Sequence, residues 1–248
     1  MKVLGINKWL LVFLAAVGMA WVGLNLFNGY LNSLLQVIGL SFLLTIIYKN
    51  PEKTLTLSWA FAVTWLSVSV WWLYIALHEV GGMPSVISVL AILLLCAGLG
   101  FYYAAALKLF IYTHKKLNPW LMHALFASCW MAAELARAQW FTGFPWGAIG
   151  YAHVNGLLSF AAPWVGVYGI GFLAAFASSW LAIQMLSQEK TIILKIKVVV
   201  VLLMLSLPAV RDENRQGIVL NVNLLQANIS QTTKFNSGRQ QALDWYAE

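Results

Sequence analysis

Glu134 and Arg137 are the only charged residues in an otherwise apolar stretch, Trp130–Tyr151, WMAAELARAQWFTGFPWGAIGY. The first part of this stretch reads as a helix, on which a spacing of three places both side chains on one face. A charge inside a bilayer span costs roughly 2.5–3.5 kcal/mol on insertion scales, so keeping both implies that they pair or share a role in binding. One reading is an interfacial pair whose ends snorkel outward. The other is that they orient the loop that follows or contact a lipid headgroup, for which arginine's planar fork of donors suits phosphate. That loop is crowded with Trp140, Phe141, Phe144, Trp146 and Tyr151. Gly143, Pro145, Gly147 and Gly150 forbid a regular helix through it. Phe144, Pro145 and Trp146 either wall a groove for an apolar chain or belong to an aromatic girdle at a membrane surface. The glycines among them favour the shaped surface.

Other residue types that do chemistry are sparse. His78 and Glu79 are adjacent in the loop HEVGGMP, where an acid–base pair competes with an ordinary wet loop. His123 lies inside an apolar run and reads as a hydrogen-bonded core residue, and His114 reads as solvated. Cys96 and Cys129 both sit in apolar segments, where a thiol is a small apolar filler. A nucleophile needs a base near it, and neither cysteine qualifies from its context. GxSxG, HExxH and Walker patterns are absent, as is any metal-ligand spacing. Neither a metal nor a cofactor is therefore expected.

The elements that must position these residues are membrane helices. The 248 residues are 61% hydrophobic and 9% charged, against about 25% charged in a soluble domain. Seven apolar runs are long enough to span a bilayer: Trp9–Phe27, Leu31–Tyr48, Leu55–Leu77, Ser85–Tyr112, Trp120–Ala136, Leu157–Leu186 and Ile193–Val210. The first is too long for a signal peptide and has no small-x-small cleavage site, so it reads as a retained anchor. If the spans alternate, one side collects Lys2, Lys8, Lys49, Lys53, Lys108, Lys115, Lys116, Lys190, Lys195 and Lys197. The positive-inside rule then places the N-terminus in the cytoplasm and the aromatic loop outside. The net charge of +7 does not indicate nucleic acid, because the basic residues are not gathered on one soluble face.

After Pro208 the composition changes. RDENRQG is a polar linker, and Ile218–Leu225 alternates as a strand does. Ser237 with Gln240 resembles a capping box, so a helix is expected from Gly238 onward. About 38 residues beyond the last span are too few for a stable αβ domain of their own, so the sequence reads as cut within a second domain. The expected organisation is an all-α polytopic membrane bundle over 1–210. A linker and the start of an exported domain follow over 211–248.

The runs TWLSVSVWWLYIALHEVGGMP (Thr64–Pro84), ELARAQWFTGFPWGAIGY (Glu134–Tyr151), GVYGIGFL (Gly166–Leu173) and NVNLLQANISQTTKF (Asn221–Phe235) together resemble bacterial apolipoprotein N-acyltransferases, in the order that family has them. The resemblance implies a helical bundle carrying a periplasmic nitrilase-like αββα domain, of which this chain would hold the first strand and helix. It implies location in the bacterial inner membrane. It also implies a ping-pong reaction in which a cysteine thiolate takes an acyl chain from a phospholipid as a thioester. The α-amino group of an S-diacylglyceryl-cysteine apolipoprotein then takes the chain from sulfur. The family's Glu, Lys and Cys lie beyond Glu248, so no catalytic residue is carried onto this chain. The lipid-binding candidates are Glu134, Arg137, Phe144, Trp146, Tyr151 and Phe235. Phe235 stands where the family usually has Trp, and Gly147 where it commonly has Leu. The implied partners are the phospholipid donor, the apolipoprotein acceptor and the membrane, with a monomer expected. A non-catalytic lipid-binding scaffold or transporter is the alternative. A transporter would carry ionisable groups near the bilayer centre or broken helices in paired halves, whereas the charges here lie near one face.

Overall fold

The computed structural model describes residues 29–187 throughout, with residues 7, 10, 12, 13, 15–17, 240 and 243–245. The chain divides into two compact units, Met1–Trp71 with Ala91–Ala209, and Trp72–Leu90 with Val210–Glu248. Five α-helices follow one another among the described residues: α1 (Gly29–Lys49), α2 (Thr54–Ser69), α3 (Ser85–Thr113), α4 (Pro119–Gln139) and α5 (Ala162–Leu186). There is no strand among them. The expected spans Trp9–Phe27 and Ile193–Val210, the strand Ile218–Leu225 and Phe235 lie outside the described residues, apart from a few helical positions between 10 and 17. Of the helix expected from Gly238, Gln240 and 243–245 are described, and they are helical.

Among the described residues, three segments are long and apolar enough to cross a membrane: Gly29–Lys49, Ser85–Lys116 and Ser159–Leu186. These correspond to three of the expected spans. α4 has 21 residues but carries Glu134 and Arg137. α2 is shorter than the sequence implies. The apolar run continues to Leu77, yet the helix ends at Ser69 after 16 residues. No proline or glycine marks this break. Ser69 Oγ donates to the Trp65 carbonyl at 2.8 Å, a back-bond that competes with the helix ladder and bends it.

In the first unit, α5 packs along both α1 and α4. Lipid tails are as apolar as leucine, so helices in a bilayer associate through close packing and polar bonds. Both are present here. Ser41 Oγ donates to the Ser178 carbonyl at 3.0 Å, tying α1 to α5. His123 Nδ1 meets Ser179 Oγ at 2.9 Å, tying α4 to α5, and Trp59 Nε1 donates to the Ala97 carbonyl at 2.9 Å, tying α2 to α3. His123 is thus the hydrogen-bonded core residue that its apolar surroundings imply. His114 is not simply solvated: it stacks on Phe110 with ring centroids 5.1 Å apart, because the chain turns tightly after α3.

An aromatic cluster fills the space among α2, α3 and α4. Trp130 lies 4.9 Å from Tyr103 and 5.9 Å from Trp65, ring centre to ring centre. Phe126 lies 5.3 Å from Phe110. α4 begins cleanly: Asn118 Oδ1 accepts from the Leu121 amide at 2.9 Å, with Pro119 in the first turn. α5 carries a break at Gly166, whose φ of 62° only glycine adopts without strain.

In the second unit, a π-helical turn, Ile75–Val80, leads into the Gly81–Pro84 loop. His78 Nδ1 lies 2.7 Å from the Met83 carbonyl, which closes that loop. The imidazole is therefore engaged with backbone, and Glu79 is exposed.

Candidate functional site: a loop held by buried charges

α4 delivers Glu134 and Arg137 into the interior, both with 0% exposure. Their bonds run to the following loop and to the aromatic cluster, not to each other. Glu134 Oε1 accepts from the Ile149 amide at 2.8 Å and from Trp130 Nε1 at 3.3 Å. Arg137 Nε donates to the Tyr103 hydroxyl at 2.9 Å. Its Nη1 donates to the Phe144 carbonyl at 2.6 Å and also to the Trp146 carbonyl. The Phe144 amide in turn donates to the Arg137 carbonyl at 2.8 Å. One arginine therefore grips two main-chain carbonyls, and one glutamate grips a main-chain amide. Glu134 Oε2 and Arg137 Nη2 have no hydrogen-bond partner.

The chain leaves α4 by an abrupt reversal, and left-handed backbone makes it. Phe141, Thr142 and Gly143 have φ of 53°, 72° and 75° in succession. Such values cost roughly 1–3 kcal/mol each in non-glycine residues and persist only where surrounding contacts enforce them. Gly143 has a second requirement, since a Cβ there would run into the Ala138 carbonyl. The reversal leaves Phe141 91% exposed and Trp140 61% exposed. Farther along, Trp146 and Tyr151 are exposed, and Phe144 packs its ring 5.1 Å from that of Trp146. Glu134, Arg137, Phe144 and Trp146 are thus brought together, with Tyr151 two residues past the Ile149 anchor.

The far end of the loop has its own buried polar anchor. His153 Nε2 lies 3.0 Å from Gln36 Oε1 on α1. Ser33 Oγ donates to the Ala152 carbonyl at 3.2 Å and accepts from the Leu157 amide at 3.2 Å. His153 is fully buried, and burial pushes its imidazole down to about 4. The neutral ring then donates from Nε2 to the Gln36 oxygen. Ser33, Gln36, Tyr103 and His153 are functional positions that carry no motif in the sequence. Polar residues inside the apolar run of α1 were the available signal for the first two.

Between α3 and α4 lies a groove of about 1010 Å³. Leu94, Phe101 and Leu109 line one wall, and Cys129, Ala132 and Ala136 the other. Arg137 and the Trp140–Phe144 reversal lie at one end. Cys96 and Cys129 are both free and buried. No cluster of three or more His, Cys, Asp or Glu residues exists among the described residues that would hold a metal ion.

Residues 19–180 match the sequence model described as the apolipoprotein N-acyltransferase N-terminal domain. The chain is 39% identical over 210 residues to apolipoprotein N-acyltransferase of Verminephrobacter eiseniae, covering 76% of this chain and 37% of that protein. The protein of the same name from Ralstonia nicotianae is 31% identical over 81% of this chain and 39% of its own. That of Haemophilus ducreyi is 29% identical over 92% and 40%. The chain thus spans well under half the length of these relatives. With its domain match and these relatives, and with three apolar helices long enough to cross a membrane among its described residues, this membrane protein belongs to the apolipoprotein N-acyltransferase family.

Proposed function

We propose that these 248 residues supply the membrane part of an enzyme that moves an acyl chain from a phospholipid to the α-amino group of an S-diacylglyceryl-cysteine lipoprotein. The observation that carries this reading is the loop from Trp140 to His153. It presents Trp146 and Tyr151 at its surface and is held by main-chain bonds to two buried charges. Both substrates are lipidated, so a transferase acting on them needs a fixed, apolar, aromatic surface at the lipid–water boundary. Aromatic rings with one polar edge settle at that boundary. Glu134 and Arg137 set the loop's position, and Phe144, Trp146 and Tyr151 give it a lipid-facing surface. Phe235 contributes an aromatic face without an indole donor. The N-terminus is cytoplasmic and the loop faces the periplasm, and a nitrilase-like domain begins near Ile218. The reaction's nucleophile, base and oxyanion-stabilising lysine belong to the part of that domain beyond Glu248, and the protein acts as a monomer in the inner membrane.

On this reading the 248 residues alone do not transfer acyl groups. A lipoprotein acylation assay with a phospholipid donor tests it: turnover should stay at background for these residues. Turnover above background would overturn the assignment of the chemistry to the exported domain. Topology is checked by labelling a single cysteine introduced as Trp146→Cys in a Cys96→Ala, Cys129→Ala background. Reaction only from the cytoplasmic side would overturn the orientation.

A further inference from the structure

In the first unit, every exposed charged side chain among the described residues lies at the end opposite the aromatic loop. Lys49, Glu52 and Lys53 sit where α1 turns into α2. Lys108, Lys115 and Lys116 sit at the end of α3 and in the turn that follows it. The other charged residues described in this unit, Glu134 and Arg137, are buried. An aromatic contact holds the two turns side by side. The Tyr48 ring, at the end of α1, meets the His114 ring edge-on with centroids 5.5 Å apart, and that of Phe110 at 6.1 Å. Its hydroxyl reaches Met122 Sδ on α4 at 3.5 Å. Lys49 directly follows Tyr48, and Lys115 directly follows His114, so the lysine-bearing turns are neighbours.

Each turn is fixed by its own bonds. Asn50 Nδ2 donates to the Ile46 carbonyl at 2.9 Å, and Thr54 Oγ1 to the Pro51 carbonyl at 2.8 Å. His114 Nδ1 lies 3.0 Å from the Ile111 carbonyl, and Asn118 caps α4. Helix dipoles account for part of the charge, since a cation is favoured at a helix C-terminus. Lys49 closes α1, and Lys115 and Lys116 follow α3. The dipole does not account for Lys53, which occupies the N-cap of α2 and makes no side-chain cap bond. A cation is disfavoured at that end of a helix, and a lysine has no acceptor to offer the first amides. Against these five lysines stands the one carboxylate of Glu52. Tyr112 and Trp120 are exposed beside them, and Trp120 stacks on Phe176 at 6.0 Å. Exposed rings with a polar edge, interleaved with lysines, suit a lipid headgroup layer and not a soluble acidic protein. α4 has 21 residues, about 30 Å of helix at 1.5 Å per residue. That matches a ~30 Å hydrocarbon core, so the lysines and the aromatic loop lie at opposite faces.

We propose that the α1–α2 and α3–α4 turns form one basic surface that binds the headgroup of a two-phosphate lipid, of the diphosphatidylglycerol class, at the membrane face opposite the aromatic loop. One phosphate is held by Lys49 and Lys53, and the other by Lys115 and Lys116. Clusters of four or more basic residues beside membrane helices attract anionic headgroups. Two phosphates joined by one glycerol match two pairs of cations on adjoining turns. This lipid is not the acyl donor, because it is held by its headgroup a bilayer's thickness from the loop. It ties the end of α1 to the end of α3 from the aqueous side. The inference rests on the membrane reading of the chain and not on acyl transfer; under the topology proposed above, the surface is cytoplasmic.

The test uses the protein purified in uncharged maltoside micelles and titrated with cardiolipin, phosphatidylglycerol or phosphatidylethanolamine, with bound lipid counted by native mass spectrometry. One cardiolipin should bind per chain, about tenfold more tightly than phosphatidylglycerol, and phosphatidylethanolamine should bind more weakly than either. Each lysine near an anionic headgroup is worth about fivefold in affinity. Lys49→Gln combined with Lys53→Gln should therefore weaken cardiolipin binding about 25-fold, and Lys115→Gln combined with Lys116→Gln should do the same. All four side chains are exposed, so these variants keep the fold. Lys49→Arg combined with Lys53→Arg keeps the charge and should keep the affinity. Equal affinity for the three lipids, phosphatidylglycerol bound as tightly as cardiolipin, or either glutamine pair binding cardiolipin as the unaltered protein does would each overturn the proposal. No lipoprotein enters this assay, so its failure would leave the acyl-transfer reading standing.

Discussion

Replacing Arg137 with methionine keeps an apolar stem of similar length and removes the guanidinium. Three acceptors then lose a partner: the Tyr103 hydroxyl and the carbonyls of Phe144 and Trp146. Hydrogen bonds to charged groups contribute about 1.5–3 kcal/mol each, and a stranded buried acceptor costs a similar amount. A simple sum would overshoot, because the loss of a cation with an unpartnered nitrogen is itself favourable. The two carbonyls are also only partly buried and can recover some hydration. The net cost should be about 3–5 kcal/mol, in line with breaking one side of a buried ion network. For a domain of 150–250 residues this corresponds to a fall in the unfolding midpoint on the order of 10 °C. Tryptophan fluorescence during a thermal ramp in maltoside micelles is the assay, with limited proteolysis at 140–147 reporting release of the loop. Lys115→Ala, in the exposed turn after α3, is the control and should leave the midpoint unchanged. Arg137→Lys keeps the charge but cannot reach three acceptors in fixed directions, so it should fall between them. If Arg137→Met melted within about 1 °C of Lys115→Ala, the loop would not be held as the bonds imply. The charges would then be interfacial passengers.

Two glycines of the loop should respond differently to alanine. At Gly143 a Cβ meets the Ala138 carbonyl as well as requiring φ of 75°. At Gly147, with φ of 82°, the nearest atom is Leu66 Cδ2 at 3.8 Å. Gly147→Ala should therefore cost only the left-handed strain of about 1–2 kcal/mol, and Gly143→Ala clearly more; equal midpoints would refute the close approach. His153 makes stability pH-dependent. Its imidazole sits at about 4 in the fold against 6.5 when free, so between those values the unfolded chain binds more protons. Stability should accordingly fall as pH drops from about 6.5 towards 4, by an order of ~3 kcal/mol in all. His153→Gln should flatten that dependence in the same thermal assay, and an unchanged slope would assign it to other groups.

The outline of the site was legible in the sequence because charges in an apolar helix are conspicuous. Glu134 and Arg137 stood out for that reason, and the glycines marked where the helix had to stop. Their partners in the loop were not legible, since those are main-chain atoms 7 to 15 residues away. Any residue except proline carries such an amide, and every residue carries such a carbonyl. The end of α2 at Ser69 escaped notice for a related reason. Hydrophobicity continues through VSVWWLYI, and a serine back-bond has no periodic signature. The groove was invisible because it depends on the order of large and small side chains across two helices. Tyr103 against Trp130, and the alanines that line the groove, come to bear on one another only once the helices are set side by side.

Because Arg137 and Glu134 hold the loop by its peptide groups, its attachment does not depend on which side chains the loop displays. Phe144, Trp146 and their exposed neighbours can therefore be exchanged while the anchorage stays as it is. The displayed surface can change one residue at a time, since the exposed side chains and the mooring bonds are written in separate parts of the same chain.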